Sequence, residues 1–249
     1  MKAVMLAAGI GERLDGPDEH PPKVLLRFGG KSLLRRHVEI LRHFGFDELV
    51  LGVGYRAGLI AEEIAAIGAG DFVRTSFNPD YERGPIVTLW SLRAELRDGG
   101  PVVLMDGDVL YDHRLMARLV AAAAANCFLL DREVGEGDDP VRICLRRGRI
   151  VDLHKRPRAA ADECGEWVGF VRLAADVAER VATATERYVE AGRTDVIYEE
   201  ALRDQVVGLP PGTFGYEDVT GLPWIEIDFP EDLRRAREVV LPRLEDLPM

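Results

Sequence analysis

Four carboxylates sit in two similar settings in this chain. Asp106 and Asp108 close the apolar run PVVLMDGD, and Glu226 and Asp228 punctuate WIEIDF. Residues two apart on an extended strand point to one side, so each pair is aimed as a unit. A carboxylate at the tip of an apolar strand is costly unless a cation meets it, and Mg²⁺ typically takes one or two carboxylates together with substrate phosphates. For either pair alone, solvated turn acids explain the residues as well, Asp-Gly-Asp being a common turn sequence. A third stretch weighs on the choice. VMLAAGIGERL runs from an apolar segment ending at Leu6 through the small residues Ala7, Ala8, Gly9 and Gly11 to Arg13, and a Pro-Pro pair then leads to Lys23. Small residues let backbone amides close on a ligand and shape a concave anion site. Arg13 offers a fork for terminal phosphate oxygens, and Lys23 a mobile point charge for the phosphorus under attack. Taken alone the stretch also fits an ordinary turn with solvated cations; together with two acidic strand tips it makes a metal and nucleotide site.

Such a site needs elements that bring Lys23, Asp108 and Asp228 to one sheet edge. The continuous apolar runs AVMLAAG, ELVLGVG and PVVLMDGD suit buried strands of a parallel sheet. Helical patterns separate them, as in KSLLRRHVEILRHFG, with Ser32 as N-cap and Gly45 as stop. The order β, α, β, α, β predicts a doubly wound, mostly parallel, Rossmann-like α/β sheet, whose ligands bind at the carboxyl ends of the strands. VRICLRRGRIVDLHKRP alternates and turns at Arg147-Gly148, a hairpin at the side of that sheet, and VAAAAANC reads as helix. WIEIDFPEDLRRAREVVLPRL reads as a last strand, a turn at Pro230 and a closing amphipathic helix. With 249 residues and no linker, the chain is expected to form one domain, 1–110 serving the nucleotide and 111–249 the acceptor.

A net charge of −11 disfavours a nucleic-acid-binding surface, and no apolar stretch approaches the roughly 20 residues of a membrane span. The start of the chain lacks a secretory pattern, which predicts a cytoplasmic protein. Cys127, Cys144 and Cys164 are odd in number and out of C-x-x-C spacing, so they are expected to be reduced and packed. His20, His37, His43, His113 and His154 show no metal-ligand spacing and are expected on the surface or in packing. No Gly-Lys-Ser/Thr follows the first glycines, which excludes a Walker A loop. GVGYRA, with Asp71 further on, fits a dinucleotide fingerprint and would indicate an oxidoreductase, but it follows the second strand rather than the first.

The succession L-A-A-G-x-G-x-R, P-K, D-G-D and E-I-D resembles the nucleotidyltransferases that activate sugar phosphates and phospho-alcohols with a nucleoside triphosphate. The closing GLPWIEIDFPEDLRRA is similar to the CTP:phosphocholine cytidylyltransferase branch and its phosphonate-using relatives. The resemblance implies a backbone from Leu6 to Gly11 that holds base and phosphates, Arg13 on the β- and γ-phosphates, and Lys23 on the α-phosphate. Asp108 and Asp228 would be ligands of one or two Mg²⁺ ions, with Asp106 nearby on the nucleotide side and Glu226 at the metal or acceptor. Thr88 stands where a family serine contacts the base, although the two asparagines that usually precede it are replaced by Gly84-Pro85. The implied reaction is transfer of CMP from CTP to a small phosphorylated or phosphonylated alcohol. Sugar-phosphate or inositol-phosphate transfer and a silent nucleotide-binding regulator are the alternatives, and a homodimer is left open.

For the acceptor, Trp167, Tyr198 and Trp224 form a set suited to enclosing an ammonium by cation–π contact, with Glu199 adding negative charge. Taken one at a time, each of these aromatics is better explained as core or sheet packing.

Overall fold

The apolar runs form strands because both their faces find cover. The computed structural model describes residues 1–11, 13–14, 20–133 and 140–248. The first half contains β1 (Lys2–Ala7), β2 (Arg27–Phe28), β3 (Lys31–Ser32), α1 (Leu33–His43), β4 (Glu48–Val53), α2 (Ala57–Ala66), β5 (Val73–Phe77), α3 (Pro85–Ser91), α4 (Arg93–Leu96), β6 (Val102–Asp106) and β7 (Val109–Tyr111). The second contains α5 (His113–Ala121), β8 (Asn126–Asp131), β9 (Arg142–Arg146), β10 (Arg149–His154), β11 (Glu163–Leu173), α6 (Ala175–Glu190), α7 (Glu199–Gly208), β12 (Phe214–Asp218), β13 (Trp224–Glu226) and α8 (Pro230–Arg235).

β4 and β6 flank β1 in parallel, and β5 extends β4 in parallel. This is the expected Rossmann-like half. Alternate residues of β1 enter different cores: Val4 packs with α3 and α6, while Ala3 and Met5 pack with α1 and α5. Ser32 caps α1 by accepting the Arg35 amide, and Gly45 ends it at φ 71°. The second half departs from the parallel pattern. β11 runs antiparallel to β6, β8 and β9, so the hairpin β9–β10, turning at Arg147-Gly148 as expected, continues the sheet at its far edge.

Two expectations are corrected. The alanine run leaves the helix at Ala121, and Ala122–Ala125 cross to β8. The Arg172 guanidinium donates to the carbonyls of Val120, Ala122 and Ala124, so a tertiary contact overrides the helix propensity of alanine. Cys144 and Cys164 are joined in a disulfide: they lie directly opposite on β9 and β11, with Cα atoms 4.1 Å apart. Cys127 is free and buried, as expected.

A third, smaller core forms where the chain closes. Ile225 and Ile227 insert beside Phe28, Leu33 and Leu110. Burying two such side chains contributes about 1.5–3 kcal/mol each, which holds the C-terminal strand on a sheet it joins by three residues. Pro230 is the first residue of α8 rather than a separate turn, its fixed φ suiting that position. No helix among the described residues is long and apolar enough to cross a membrane.

Candidate active site

A cleft of about 960 Å³ opens at the carboxyl ends of β1 and β6. Its floor is built by backbone contacts between turns that the sequence leaves far apart. The Asp-Gly-Asp turn is gripped from two sides: the Gly107 amide donates to the Leu6 carbonyl at 3.0 Å, and His37 Nε2 donates to the Gly107 carbonyl at 3.2 Å. A side chain at Gly107 would strike the Leu6 carbonyl, which explains the glycine. Burial pushes the His37 pKa down to about 4, so the imidazole is a neutral donor. β13 pairs with β7, and the Ile227 amide donates to the Asp108 carbonyl at 3.0 Å, which brings Asp228 alongside Asp108. Asp232 then accepts the amides of Asp228 and Phe229, fixing that strand tip at the start of α8.

The small-residue turn after β1 also lines the cleft. The Tyr55 amide donates to the Ala8 carbonyl, so GVGYRA buttresses this loop. Asp71, the would-be ribose ligand of a dinucleotide, pairs with Arg42 on the surface and is absent from the cleft lining. Gly11 has φ 76°, and a side chain there would crowd Lys23.

The charged centre is compact. Lys23 Nζ lies 2.9 Å from Asp108 Oδ2 and 2.6 Å from Asp228 Oδ1, and Arg13 Nη1 lies 3.3 Å from Asp228 Oδ2. Burial alone would lower the Lys23 pKa, but Asp108 and Asp228 outweigh it and raise it. For Asp228 burial acts upward, and Lys23 with Arg13 draws it below the usual carboxylate range. Glu226 completes a triad: ligand atoms of Asp108, Glu226 and Asp228 all lie within 4.8 Å of one another. Water reaches Glu226 from the cleft, yet protein surrounds it, and burial beside Asp108 and Asp228 raises its pKa well above the ordinary value. Three hard oxygen donors with one carboxylate poorly neutralised fit Mg²⁺, and the Lys23 ammonium occupies the position of a cation between two of them.

Asp106 turns away from this triad. It accepts the Tyr198 hydroxyl at 2.8 Å, and burial, then Asp108 and Glu226, pushes its carboxyl pKa well up. Gly169, at φ 88°, leaves the space this carboxyl fills. Thr88 lines the cleft with its hydroxyl held by Asn78 Nδ2 at 3.1 Å. On the far side, Glu199 is 9 % exposed, and burial raises its carboxyl pKa to about 7.

The cleft thus gathers Leu6, Ala7, Ala8, Gly9, Gly11, Arg13, Lys23, Thr88, Asp106, Asp108, Tyr198, Glu199, Trp224, Glu226 and Asp228. Trp167 is the exception, and its expected acceptor contact is corrected. It is 4 % exposed, its Nε1 donates to the Phe170 carbonyl, and its ring packs edge-on against Phe128 and Tyr198. The neighbouring register position, Glu166, reaches the cleft instead, because successive strand residues face opposite sides. Sequence reasoning passed over Lys155, which lines the cleft just past β10, and Asn78, His37 and Asp232, which position others. Only the basic end of LHKRP signalled Lys155; the other three carry no motif.

A mixed sheet with a parallel half, a small-residue loop after β1 and acidic tips on β6 and β13 is the arrangement of a nucleotidyltransferase. Residues 3–167 match the MobA-like NTP transferase domain, and the chain belongs to that family. It is 28 % identical to the CMP-5'-(3-aminopropyl)phosphonate synthase of Streptomyces rubellomurinus, over 95 % of this chain and 38 % of that protein. It is 30 % identical to the bifunctional IPC transferase and DIPP synthase of Rubrobacter xylanophilus, over 96 % of this chain and 52 % of that protein. The chain therefore spans between about two fifths and one half of these two relatives. The fold matches the solved CTP:phosphocholine cytidylyltransferase from Streptococcus pneumoniae with a TM-score of 0.74 and 20 % identity, covering 96 % of this chain and 98 % of that one.

Proposed function

We propose that the protein transfers CMP from CTP to a small phosphorylated or phosphonylated alcohol and releases pyrophosphate. The observation that carries this reading is the Lys23 ammonium held between Asp108 and Asp228 beside the small-residue loop. A phosphomonoester dianion must approach an α-phosphorus that is itself surrounded by negative charge, so the site must neutralise repulsion and align an in-line displacement. An acceptor oxygen forms the new bond to the α-phosphorus while the bond to the pyrophosphate oxygen breaks. Lys23 supplies charge at that phosphorus and Arg13 binds the departing phosphates. The loop amides from Leu6 to Gly11 hold base and phosphates, with Thr88 at the base and Asp106 beside the nucleotide. Lys155 meets the acceptor's anionic group. Mg²⁺ held by Asp108, Glu226 and Asp228 would supply Lewis-acid charge on the nucleotide phosphates. No general base is needed, because an alkyl phosphate has its second pKa near 6 and is mostly ionised at neutral pH.

The names of the relatives support CTP and a phosphonate or phospho-alcohol acceptor. In this reading residues 1–110 serve the nucleotide and 111–249 the acceptor within one domain, and the enzyme works in the cytoplasm, where CTP is made. The second reading, transfer to an inositol or sugar phosphate, draws support from the similarity to the Rubrobacter protein. Pyrophosphate release measured for the four NTPs against phospho-alcohols, phosphonates, inositol phosphate and sugar phosphates decides between them. CTP with a small acceptor is the expected pair; UTP or GTP with a sugar phosphate would overturn the reading, and silence with every pair would indicate a regulator.

A further inference from the structure

The turn that carries Lys155 leaves the sheet at its edge. β10 is the outermost strand, its ladder with β9 ends at His154, and residues 155–159 run on past it. Backbone amides there need other partners, and a turn without them would leave a lysine on its flexible four-carbon stem poorly aimed. From Arg156 to Ala159 the accounting closes. The Arg156 amide donates to His154 Nδ1 at 2.7 Å, the shorter of that atom's two contacts with Arg156. Pro157 has no amide proton, and Asp152 Oδ2 accepts the amides of Arg158 and Ala159 at 2.7 and 2.9 Å.

Both accepting side chains are anchored on α7. The other oxygen of the buried Asp152 accepts from Arg203 Nε at 2.7 Å, and His154 Nε2 lies 3.0 Å from Glu200 Oε1. With Nδ1 accepting, the ring proton sits on Nε2 and is donated to Glu200. Beneath these contacts Ile150 and Leu153 of β10 share one core with Leu202 and Val206 of α7. His154 thus faces the helix, and Lys155, next along the chain, lines the cleft. Burial acts upward on the Asp228 and Glu199 carboxyls and the Lys155 charge downward on both, so its ammonium reaches the charged centre.

Resting on the nucleotidyl-transfer reading, we propose that His154 is a positioning residue: by bridging Glu200 to the Arg156 amide it fixes the turn that aims the Lys155 ammonium at the acceptor's anionic group. Its ring touches no substrate. Without it the charge of Lys155 survives, but the backbone beneath that charge loses its tie to α7, and the loss falls on the acceptor rather than on CTP.

The test takes whichever phospho-alcohol, phosphonate, inositol phosphate or sugar phosphate gives the highest kcat/KM, and measures kcat and both KM values with Mg²⁺ and CTP. Lys155→Met is expected to raise KM for the acceptor by at least about tenfold, the loss of one charged hydrogen bond. His154→Ala should raise the same KM by about threefold to tenfold and leave KM for CTP unchanged, while His154→Gln, which keeps one donor and one acceptor, should recover part of the loss. Added to Lys155→Met, His154→Ala should cost nothing further, because a residue that acts through Lys155 then has nothing to position. Hydrogen exchange reads the same tie without any substrate, and the Arg156 amide should exchange faster in His154→Ala. An equal rise in acceptor KM in both backgrounds, a matching rise for CTP, no effect of Lys155→Met, or an Arg156 amide as protected as in the wild type overturns the inference and leaves nucleotidyl transfer standing. Were His154→Ala to fail to fold, Glu200→Ala, which removes the bridge from the helix side, decides by the same criteria. Absence of pyrophosphate release by the wild type with every nucleotide and acceptor overturns both.

Discussion

Removing the Lys23 ammonium would leave Asp108 and Asp228 facing each other, with Arg13 beside Asp228 alone. Lys23→Ala should therefore destabilise the metal-free protein by on the order of 2 kcal/mol, and added Mg²⁺ should recover much of the loss. The same change should lower kcat more than it raises KM for CTP, because the charge matters most as the α-phosphorus gains its fifth ligand. Thermal melts with and without Mg²⁺, beside steady-state kinetics, check both. Glu199 makes the opposite prediction in pH. Its folded pKa, about 7, lies above the ordinary value of 4.5, so the unfolded chain releases this proton first. The cost is absent below about pH 4.5, grows as pH rises, and is complete above about pH 7, where it reaches about 3 kcal/mol. Asp106 and Glu226 act in the same direction. Urea melts of the metal-free protein should show stability falling across that window, and Glu199→Gln should flatten the decline.

Among the elements, the disulfide between β9 and β11 governs the edge that presents Lys155. It closes a loop with a sequence separation of 20 residues, which constrains the unfolded chain by about 3 kcal/mol. Cys164→Ser should lose that much against the oxidised wild type and little against the reduced one, as urea melts with and without dithiothreitol would show. In a reducing cytoplasm the pair would be a dithiol, and the edge correspondingly looser. The cysteines also mark where the sequence stops being readable. β1, β4 and β6 announce themselves because a strand covered on both faces must be apolar throughout, and the acidic tips stand out against those runs. Antiparallel pairing around β11 leaves no such trace: partners from β6, β8 and β9 are chosen by register, which is why Cys144 meeting Cys164, and Trp167 turning inward while Glu166 turns outward, were hidden. The alanine run misled for a related reason. Its fate is decided by Arg172, some 50 residues away. Lys155 belongs to this same half, so the wall of the cleft built on the parallel strands was far more legible than the wall built on the antiparallel ones.

At the scale of the whole molecule, the proposed reaction asks a chain of net charge −11 to hold a polyanion, and Arg13, Lys23 and Lys155 all line one cleft. Mg²⁺ at Asp108, Glu226 and Asp228 would add the charge that these three cannot. Mg²⁺ with CTP at about a hundredfold above the dissociation constant should stabilise the wild type by about 2.7 kcal/mol. Asp108→Ala should abolish that shift and turnover together while leaving the apo fold intact, and a wild-type shift in this variant would remove Asp108 from the metal site. The contact between Lys23 and Asp228 also bridges 205 positions of sequence. A loop of that length closes late, since its entropy must be met before the contact gives anything back. On the ribosome, the parallel half can be folded and its loop in place, with Asp108 beside Lys23, while the second partner, Asp228, has yet to be synthesised. In the proposed reaction the nascent chain would then be unable to turn CTP over until β13 docks and brings Asp228 to Lys23.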